Sequence, residues 1–263
     1  MSTFLRVFFI GGLISYRALF NWIRPYIYIP TMLGSPLFQI VFFTYLGRYS
    51  HAGGGDAFFI VGNAVQVCAM SSVYGTTMAV ANERWFGTLG PLLATPANRL
   101  AIFLGRGMPV FANGLLVSAF GFGVGAVLLH FRPPLHSIPA LVLVVCLTTV
   151  SCTTFGMVLG TIGLRSKDFF FVANLAYFLM LLFCGVNIPL DVLPGWMEAI
   201  GRSLPLTHGI EAARKIAAGG QLADVSGLLW TELGIAVAYA AAGYLFFRLL
   251  EISARRSAVI DAL

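Results

Sequence analysis

Side chains that could do chemistry are few in this sequence, and they form no recognisable catalytic or metal-binding group. The cysteines lie inside apolar segments and lack the CxxC spacing of metal and redox sites, which favours buried free thiols: Cys68, Cys146, Cys152 and Cys184. One apolar segment carries four hydroxyls without a histidine or carboxylate base: Ser71, Ser72, Thr76 and Thr77. We therefore expect no enzyme active site in this chain.

Phosphate-binding chemistry is missing as well. Nothing in the sequence matches GxxxxGK followed by Ser or Thr, so the chain does not bind ATP through such a loop. The glycine run at 53–55 falls in a short connection, where backbone flexibility explains it better than phosphate binding.

Charged side chains are almost confined to the connections between apolar segments. Only the last apolar segment contains any, Glu232 and Arg248, each near an end. Glu232 lies about one turn from the outer end, so we expect a solvated or interfacial carboxylate rather than a proton relay. Ion-coupled transporters need ionisable groups near the membrane midplane, and their absence disfavours a stand-alone ion-coupled transporter or channel.

Composition assigns the chain to the membrane. Its 263 residues are 59% hydrophobic and 10% charged, whereas soluble domains average roughly 45 to 50% apolar and about 25% charged residues. Six segments have about the 20 residues needed to cross a bilayer: 26–47, 57–81, 107–129, 138–164, 169–186 and 228–250. The sequence predicts an all-α integral membrane protein of six transmembrane helices, forming one domain over residues 1–263.

The basic residues set the orientation. Eleven of the sixteen Lys and Arg fall on one side of the predicted helices, and cytoplasmic loops accumulate positive charge. We therefore expect both termini in the cytoplasm. The basic residues are scattered singly rather than clustered, which argues against nucleic acid as a partner. Residues 3–22 mix aromatic and arginine side chains, a pattern that suits an interfacial helix against membrane lipids.

Two connections are longer than turns. In 82–104, Trp85, Leu89, Leu92 and Leu93 share one helical face, which predicts an amphipathic helix along the cytoplasmic membrane surface. The external segment 187–219 is punctuated by prolines and contains two helical pieces, about 194–204 and 206–218. Both are too short to span. We expect a shallow re-entrant helical hairpin that caps the outer ends of the fifth and sixth helices.

Two GxxxG pairs, Gly121 with Gly125 and Gly156 with Gly160, occur in the third and fourth segments. This spacing lets two helices approach closely in lipid. Both packing within the chain and dimerisation are consistent with it.

The cytoplasmic connection resembles a family signature. Its residues are similar to the ERxxGTLxxLLxxP pattern of ABC-2 export permeases: Glu83, Arg84, Gly87, Thr88, Leu89, Leu92, Leu93 and Pro96. A second stretch resembles the external segment before the last helix of that family: Pro189, Leu193, Pro194, Trp196, Leu204, Pro205 and 210–214. With the six predicted helices, the resemblance covers nearly the whole chain.

The resemblance implies the membrane subunit of an ATP-binding-cassette exporter in the cell membrane. A separate cytoplasmic ATPase would bind ATP and Mg²⁺, so this chain would hold no cofactor. A second copy or a paralogue would complete the membrane part. The family's coupling helix docks on the ATPase, which implies a contact surface made of these residues and of a smaller second turn: Glu83, Arg84, Gly87, Thr88, Leu89, Arg165 and Asp168.

The expected substrate is amphipathic, of a drug, lipid or glycan type, and its path would be lined by aromatic side chains. Tyr74 in the second predicted helix, and Tyr177 and Phe178 in the fifth, are candidates for that path. With 23 phenylalanines in the chain, packing or lipid contact is the more ordinary role of such residues. A membrane scaffold without transport is a further alternative.

Overall fold

The computed structural model describes Gly11 and residues 29–51, 54–85, 99–163 and 169–257. Within them every regular element is helical, as the composition predicts. A π-helical segment, Ile29–Gly34, leads into the first of eight α-helices: α1 (Ser35–Tyr49), α2 (Gly55–Trp85), α3 (Arg99–Leu128), α4 (Ile138–Gly163), α5 (Phe169–Phe183), α6 (Gly195–Ser203), α7 (Thr207–Ala217) and α8 (Ser226–Ser257). Apart from Gly11, the interfacial helix predicted at 3–22 lies outside the described residues.

Four helices in the described residues are long and apolar enough to cross a membrane: Gly55–Ala81, Gly107–Leu128, Leu135–Gly163 and Leu222–Leu249. They correspond to the second, third, fourth and sixth predicted segments. The first and fifth segments contain α1 and α5, which have 15 residues each. A helix of that length rises about 22 Å, less than the roughly 30 Å of hydrocarbon in a bilayer.

The centre of the bundle is α2, which packs most extensively against α4 and α3, while α8 packs against the other side of α4. Both GxxxG pairs serve these contacts. A Cβ on Gly125 would lie 2.5 Å from Ile60 Cγ2, and a Cβ on Gly156 would lie 3.0 Å from the Val73 carbonyl oxygen. The glycines therefore let α3 and α4 approach α2 within one chain.

Threonine hydroxyls inside α4 are hydrogen-bonded to the backbone of the helix itself. Thr148, Thr149 and Thr153 each donate to the carbonyl oxygen four residues earlier, at 2.9, 2.6 and 2.7 Å. In a medium without water an unpaired hydroxyl is costly, and back-bonding to the helix removes that cost. The helix can thus be rich in threonine and still lie buried between α2 and α8.

The helical pieces predicted in the external segment are present as α6 and α7, within one or two residues of the expected bounds. The sequence predicts a hairpin that only caps the outer ends of two helices, whereas α7 makes contacts with three. α6 lies against α5, whereas α7 contacts α2, α4 and α8. The close approach requires glycine, since a Cβ on Gly209 would lie 2.0 Å from Thr148 Oγ1 of α4.

Candidate functional site

The three residues predicted for a substrate path lie together. The ring centroids of Tyr74 on α2 and Tyr177 on α5 are 6.1 Å apart, and those of Tyr177 and Phe178 are 5.6 Å apart, both in edge-to-face arrangements. Tyr177 is buried, Tyr74 is half-buried, and Phe178 is 60% exposed. The three rings form a continuous aromatic surface from the core of the bundle to its outside.

Polar groups border these rings. The Tyr74 hydroxyl donates a hydrogen bond to Asn174 Oδ1, and Asn174 Nδ2 donates to the Phe170 carbonyl oxygen at 2.8 Å. Asn174 lies one helical turn before Phe178 on α5 and is exposed. The aromatic surface therefore offers hydrogen-bonding groups as well as apolar area.

A chain of hydrogen-bonded side chains continues from the same tyrosine, and we call it the amide chain: Tyr177, Gln39, Asn63 and Asn187. The Tyr177 hydroxyl donates to Gln39 Oε1 at 2.8 Å, and Gln39 Nε2 donates to Asn63 Oδ1 at 3.0 Å. Asn63 Nδ2 then donates to Asn187 Oδ1 at 2.7 Å. All three hydrogen bonds run in one direction, from Tyr177 towards Asn187, so each bond polarises the next. The amide chain connects α5, α1 and α2 with the external segment.

The amides of the apolar segments are not among the candidate residues predicted there from the sequence, which are ionisable, hydroxyl, thiol or aromatic side chains. Gln39, Asn63 and Gln66 lie in apolar segments, and Asn63 and Gln66 are fully buried. An amide in a membrane helix is expensive unless it is hydrogen-bonded. Three such residues in two predicted helices are therefore a usable signal for a polar path.

The aromatic surface and the amide chain are built from uncharged side chains. No group of three or more His, Cys, Asp or Glu side chains in these parts of the chain could hold a metal ion. The amide chain and the aromatic rings carry no formal charge. Their combined chemistry suits an uncharged hydrogen-bonding group attached to an apolar body.

Glu232 corrects one expectation from the sequence. It was expected to be solvated or interfacial, but its side chain is 0% exposed. Its Oε1 atom accepts a hydrogen bond from the backbone N–H of Leu206 at 3.1 Å. Leu206 precedes α7, and that helix has no side-chain cap of its own. A carboxylate at a helix N-terminus is favourable for both hydrogen bonding and the helix dipole, so α8 caps α7.

Arg214 holds the other end of α7. Its guanidinium donates to the carbonyl oxygens of Gly185 and Val186 at 2.8 Å each, and to that of Phe58 at 3.1 Å. It also lies 3.5 Å from the centroid of the Phe58 ring. Burial lowers the pKa of the Arg214 guanidinium to about 9. The group stays protonated near neutral pH and ties α7 to α2 and to the end of α5.

The predicted ATPase-coupling residues are placed only in part. The backbone of Glu83 and Arg84 belongs to the last turn of α2, which continues without a break to Trp85. Gly87, Thr88 and Leu89 lie outside the described residues, as do Arg165 and Asp168. The region predicted at 82–104 thus begins inside α2 and ends inside α3, which starts at Arg99.

Comparison with known proteins places this bundle in a family. A permease described as a probable doxorubicin resistance ABC transporter protein, DrrC of Mycobacterium tuberculosis, is 27% identical over 228 residues, covering 84% of this chain and 82% of the relative. Nodulation protein J of Rhizobium leguminosarum bv. trifolii is 30% identical over 64% of each chain. The probable multidrug ABC transporter permease YbhR of Escherichia coli is 22% identical over 66% of this chain and 47% of its own length. The ABC-2 type transporter family matches residues 12–217, so the chain belongs to that family and is a multi-pass membrane transport protein.

Proposed function

We propose that this chain is the permease subunit of an ATP-driven exporter in the cytoplasmic membrane. A separate ABC ATPase binds ATP and Mg²⁺, and a second permease copy or a paralogue completes the membrane part. The observation that carries the proposal is the family match over residues 12–217. The sequence contains no GxxxxGK loop, which agrees with ATP binding in a separate subunit.

The orientation follows from charge. Both termini and the 82–104 region lie in the cytoplasm, because eleven of the sixteen Lys and Arg fall on that side. The hairpin of α6 and α7 then enters the bundle from outside as a re-entrant element. Of its two short helices, α7 can lie at membrane depth because it is buried against protein on several sides.

Coupling takes place at the last turn of α2 and in the residues that follow it. Glu83, Arg84, Gly87, Thr88 and Leu89 form the surface that docks on the ATPase, with Arg165 and Asp168 as a second contact. α2 is the central helix of the bundle and also carries Tyr74 and Asn63. A movement imposed at its cytoplasmic end would therefore reach the aromatic surface and the amide chain directly.

The substrate is amphipathic, of a drug, lipid or glycan type. Tyr74, Tyr177 and Phe178 provide apolar stacking area, and the amide chain provides hydrogen bonds without charge. The names of two relatives refer to doxorubicin resistance and to multidrug transport. Both the names and the chemistry of the site support an apolar body with polar substituents.

Copurification tests the proposal. The tagged chain is expressed in its native host and purified in mild detergent, and a stoichiometric ATPase with a GxxxxGK loop is expected with it. Gly87→Glu should abolish the association while leaving a monodisperse permease. Gly195→Glu places the same charge on the external hairpin, where a Cβ meets no atom within 4 Å, and should retain the ATPase. Absence of any ATPase from an intact wild-type preparation would overturn the proposal.

The buried carboxylate of Glu232 gives the alternative, an ion-coupled transporter or channel, one specific observation in its favour. A protonatable group within a membrane span is the usual feature of ion coupling. The hydrogen bond from Leu206 gives Glu232 a structural role instead. A Glu232→Gln variant separates the two, because an exporter driven by ATP keeps its transport activity when this carboxylate is neutralised.

A further inference from the structure

A cavity of about 700 Å³ lies between the last turns of α3 and the first turns of α4. We call it the α3–α4 groove. Its walls are formed by apolar side chains, among them Leu115, Phe122, Phe131, Leu141 and Val145. Ligand cavities in proteins hold roughly 300 to 1,000 Å³. The groove is therefore large enough for a small ligand or for a hydrocarbon chain.

The groove opens to the outside of the helix bundle. Leu135 and Val142 on its border are 83% and 54% exposed. The helices on either side both belong to segments that are long and apolar enough to span the membrane. Exposed leucine and valine side chains on such helices contact lipid rather than water. Lipid chains thus have direct lateral access to the cavity.

Two polar side chains line the groove, and they differ in what they can offer a ligand. On its inner wall Ser118 donates its hydroxyl to the Ala64 carbonyl oxygen at 2.8 Å and has no further proton to donate. Arg132 lines the other end, is exposed, and forms no ion pair or hydrogen bond within the part of the chain that the structure describes. The groove combines a hydrocarbon-like interior with one available cation.

We propose that the α3–α4 groove binds an anionic phospholipid, with one acyl chain between the helices and the phosphate on Arg132. An arginine at the membrane surface forms charge-assisted hydrogen bonds with phosphate oxygens. Asp56 pairs with Arg48 and Glu211 faces Lys215, so neither of these carboxylates is paired with Arg132. In the orientation proposed above, this lipid comes from the outer leaflet.

The shape favours a lipid over a helix of another protein. An α-helix with its side chains is about 10 Å across, and a cavity of this volume would be filled by less than about two turns of it. An acyl chain is narrow and flexible and can follow an irregular groove. Each methylene that it buries adds to the affinity.

Gly123 provides a means of filling the groove without disturbing the bundle. It lines the groove and is exposed, and a Cβ at this position meets no atom within 4 Å. The neighbouring Gly121 and Gly125 face α2, where a Cβ would lie 3.2 Å from Ala64 Cα and 2.5 Å from Ile60 Cγ2 respectively. Gly234 on α8 is the matched control, because it is also exposed and also has open space around its Cβ position.

The test uses the full chain reconstituted in nanodiscs containing equal parts of phosphatidylglycerol and phosphatidylcholine, followed by mild detergent extraction and native mass spectrometry of the retained lipids. The wild type and Gly234→Leu should retain phosphatidylglycerol preferentially. Gly123→Leu should lower its retention by about tenfold or more, because several methylene contacts are excluded. Arg132→Gln should lower the preference over phosphatidylcholine by about fivefold, the factor for one cationic side chain at an anionic surface.

Retention of phosphatidylglycerol by Gly123→Leu at the wild-type level would overturn the proposal, since lipid bound elsewhere on the surface is indifferent to this substitution. A second measurement does not depend on the variants. Phosphatidylglycerol with a photoactivatable group at the end of one acyl chain should label wild-type peptides from 115–126 and 138–145. Labelling confined to other peptides would contradict the site, and labelling of these peptides supports it.

Discussion

Glu232 of α8 accepts a hydrogen bond at its Oε1 atom from the backbone N–H of Leu206, 26 positions earlier in the chain, at 3.1 Å. Leu206 has a φ of 97°, in the left-handed region that a branched side chain rarely adopts. The bond satisfies a buried donor at the point where the chain turns into α7. The external hairpin is therefore fixed to the last helix at a strained turn.

Neutralising this carboxylate should leave the fold intact if its role is to accept that bond. Glu232→Gln keeps an acceptor oxygen, and we expect the free energy of unfolding to change by less than about 1 kcal/mol. Glu232→Leu leaves the Leu206 N–H unpaired, which costs about 1 to 3 kcal/mol. Denaturation of the purified protein in detergent micelles measures both values.

Glu198→Gln is the control for this pair, because Glu198 forms an exposed ion pair with Arg202 at 2.8 Å. Surface ion pairs of this kind contribute about 0 to 1 kcal/mol, so its effect should be small. A Glu232→Gln protein that is folded but inactive in transport would contradict the structural assignment and favour ion coupling.

Arg214 should be the most sensitive basic residue of the hairpin. Arg214→Met removes a half-buried cation from the carbonyl oxygens of Phe58, Gly185 and Val186, and we expect a loss of about 3 kcal/mol. Hydrogen exchange at residues 185–187 should rise at the same time. The adjacent Lys215 is exposed and lies 3.8 Å from Glu211, so Lys215→Met should leave both observables nearly unchanged. Equal effects of the two substitutions would contradict the anchoring role.

The sequence predicts the long helices well because length and hydrophobicity alone define them. It places Glu232 wrongly because its burial depends on α7, which folds back over it, and local hydrophobicity carries no information on that contact. It also overlooks Asn63, whose partners Gln39 and Asn187 are 24 and 124 positions away. The rings of Tyr74 and Tyr177 are neighbours because α5 packs on α2, a contact that the sequence does not specify, and their place on a substrate path stays a prediction.

Close packing at the GxxxG pairs should be sensitive to a single methyl group. Gly156→Ala places a Cβ 3.0 Å from both the Val73 carbonyl oxygen and Thr76 Cβ, and overpacking of this kind costs about 1 to 3 kcal/mol. Gly234→Ala has open space and should be neutral or slightly stabilising, because alanine is the better helix former. Thermal unfolding in micelles distinguishes them. A neutral Gly156→Ala would argue against direct contact of α4 with α2 at this point.

The hydroxyl of Tyr177 should matter for substrate rather than for folding. Tyr177→Phe removes the first donor of the amide chain, the bond to Gln39 Oε1 at 2.8 Å, but keeps the ring contacts with Tyr74 and Phe178. A neutral hydrogen bond contributes about 1 kcal/mol, so the apparent KM for a fluorescent amphipathic substrate in proteoliposomes with the ATPase should change by about fivefold. The maximal rate should stay within about twofold, because the helices that transmit movement are unchanged. Tyr244→Phe, at an exposed position on α8, should leave both parameters as in the wild type. If Tyr177→Phe and Tyr244→Phe behave alike, the amide chain does not contact the substrate.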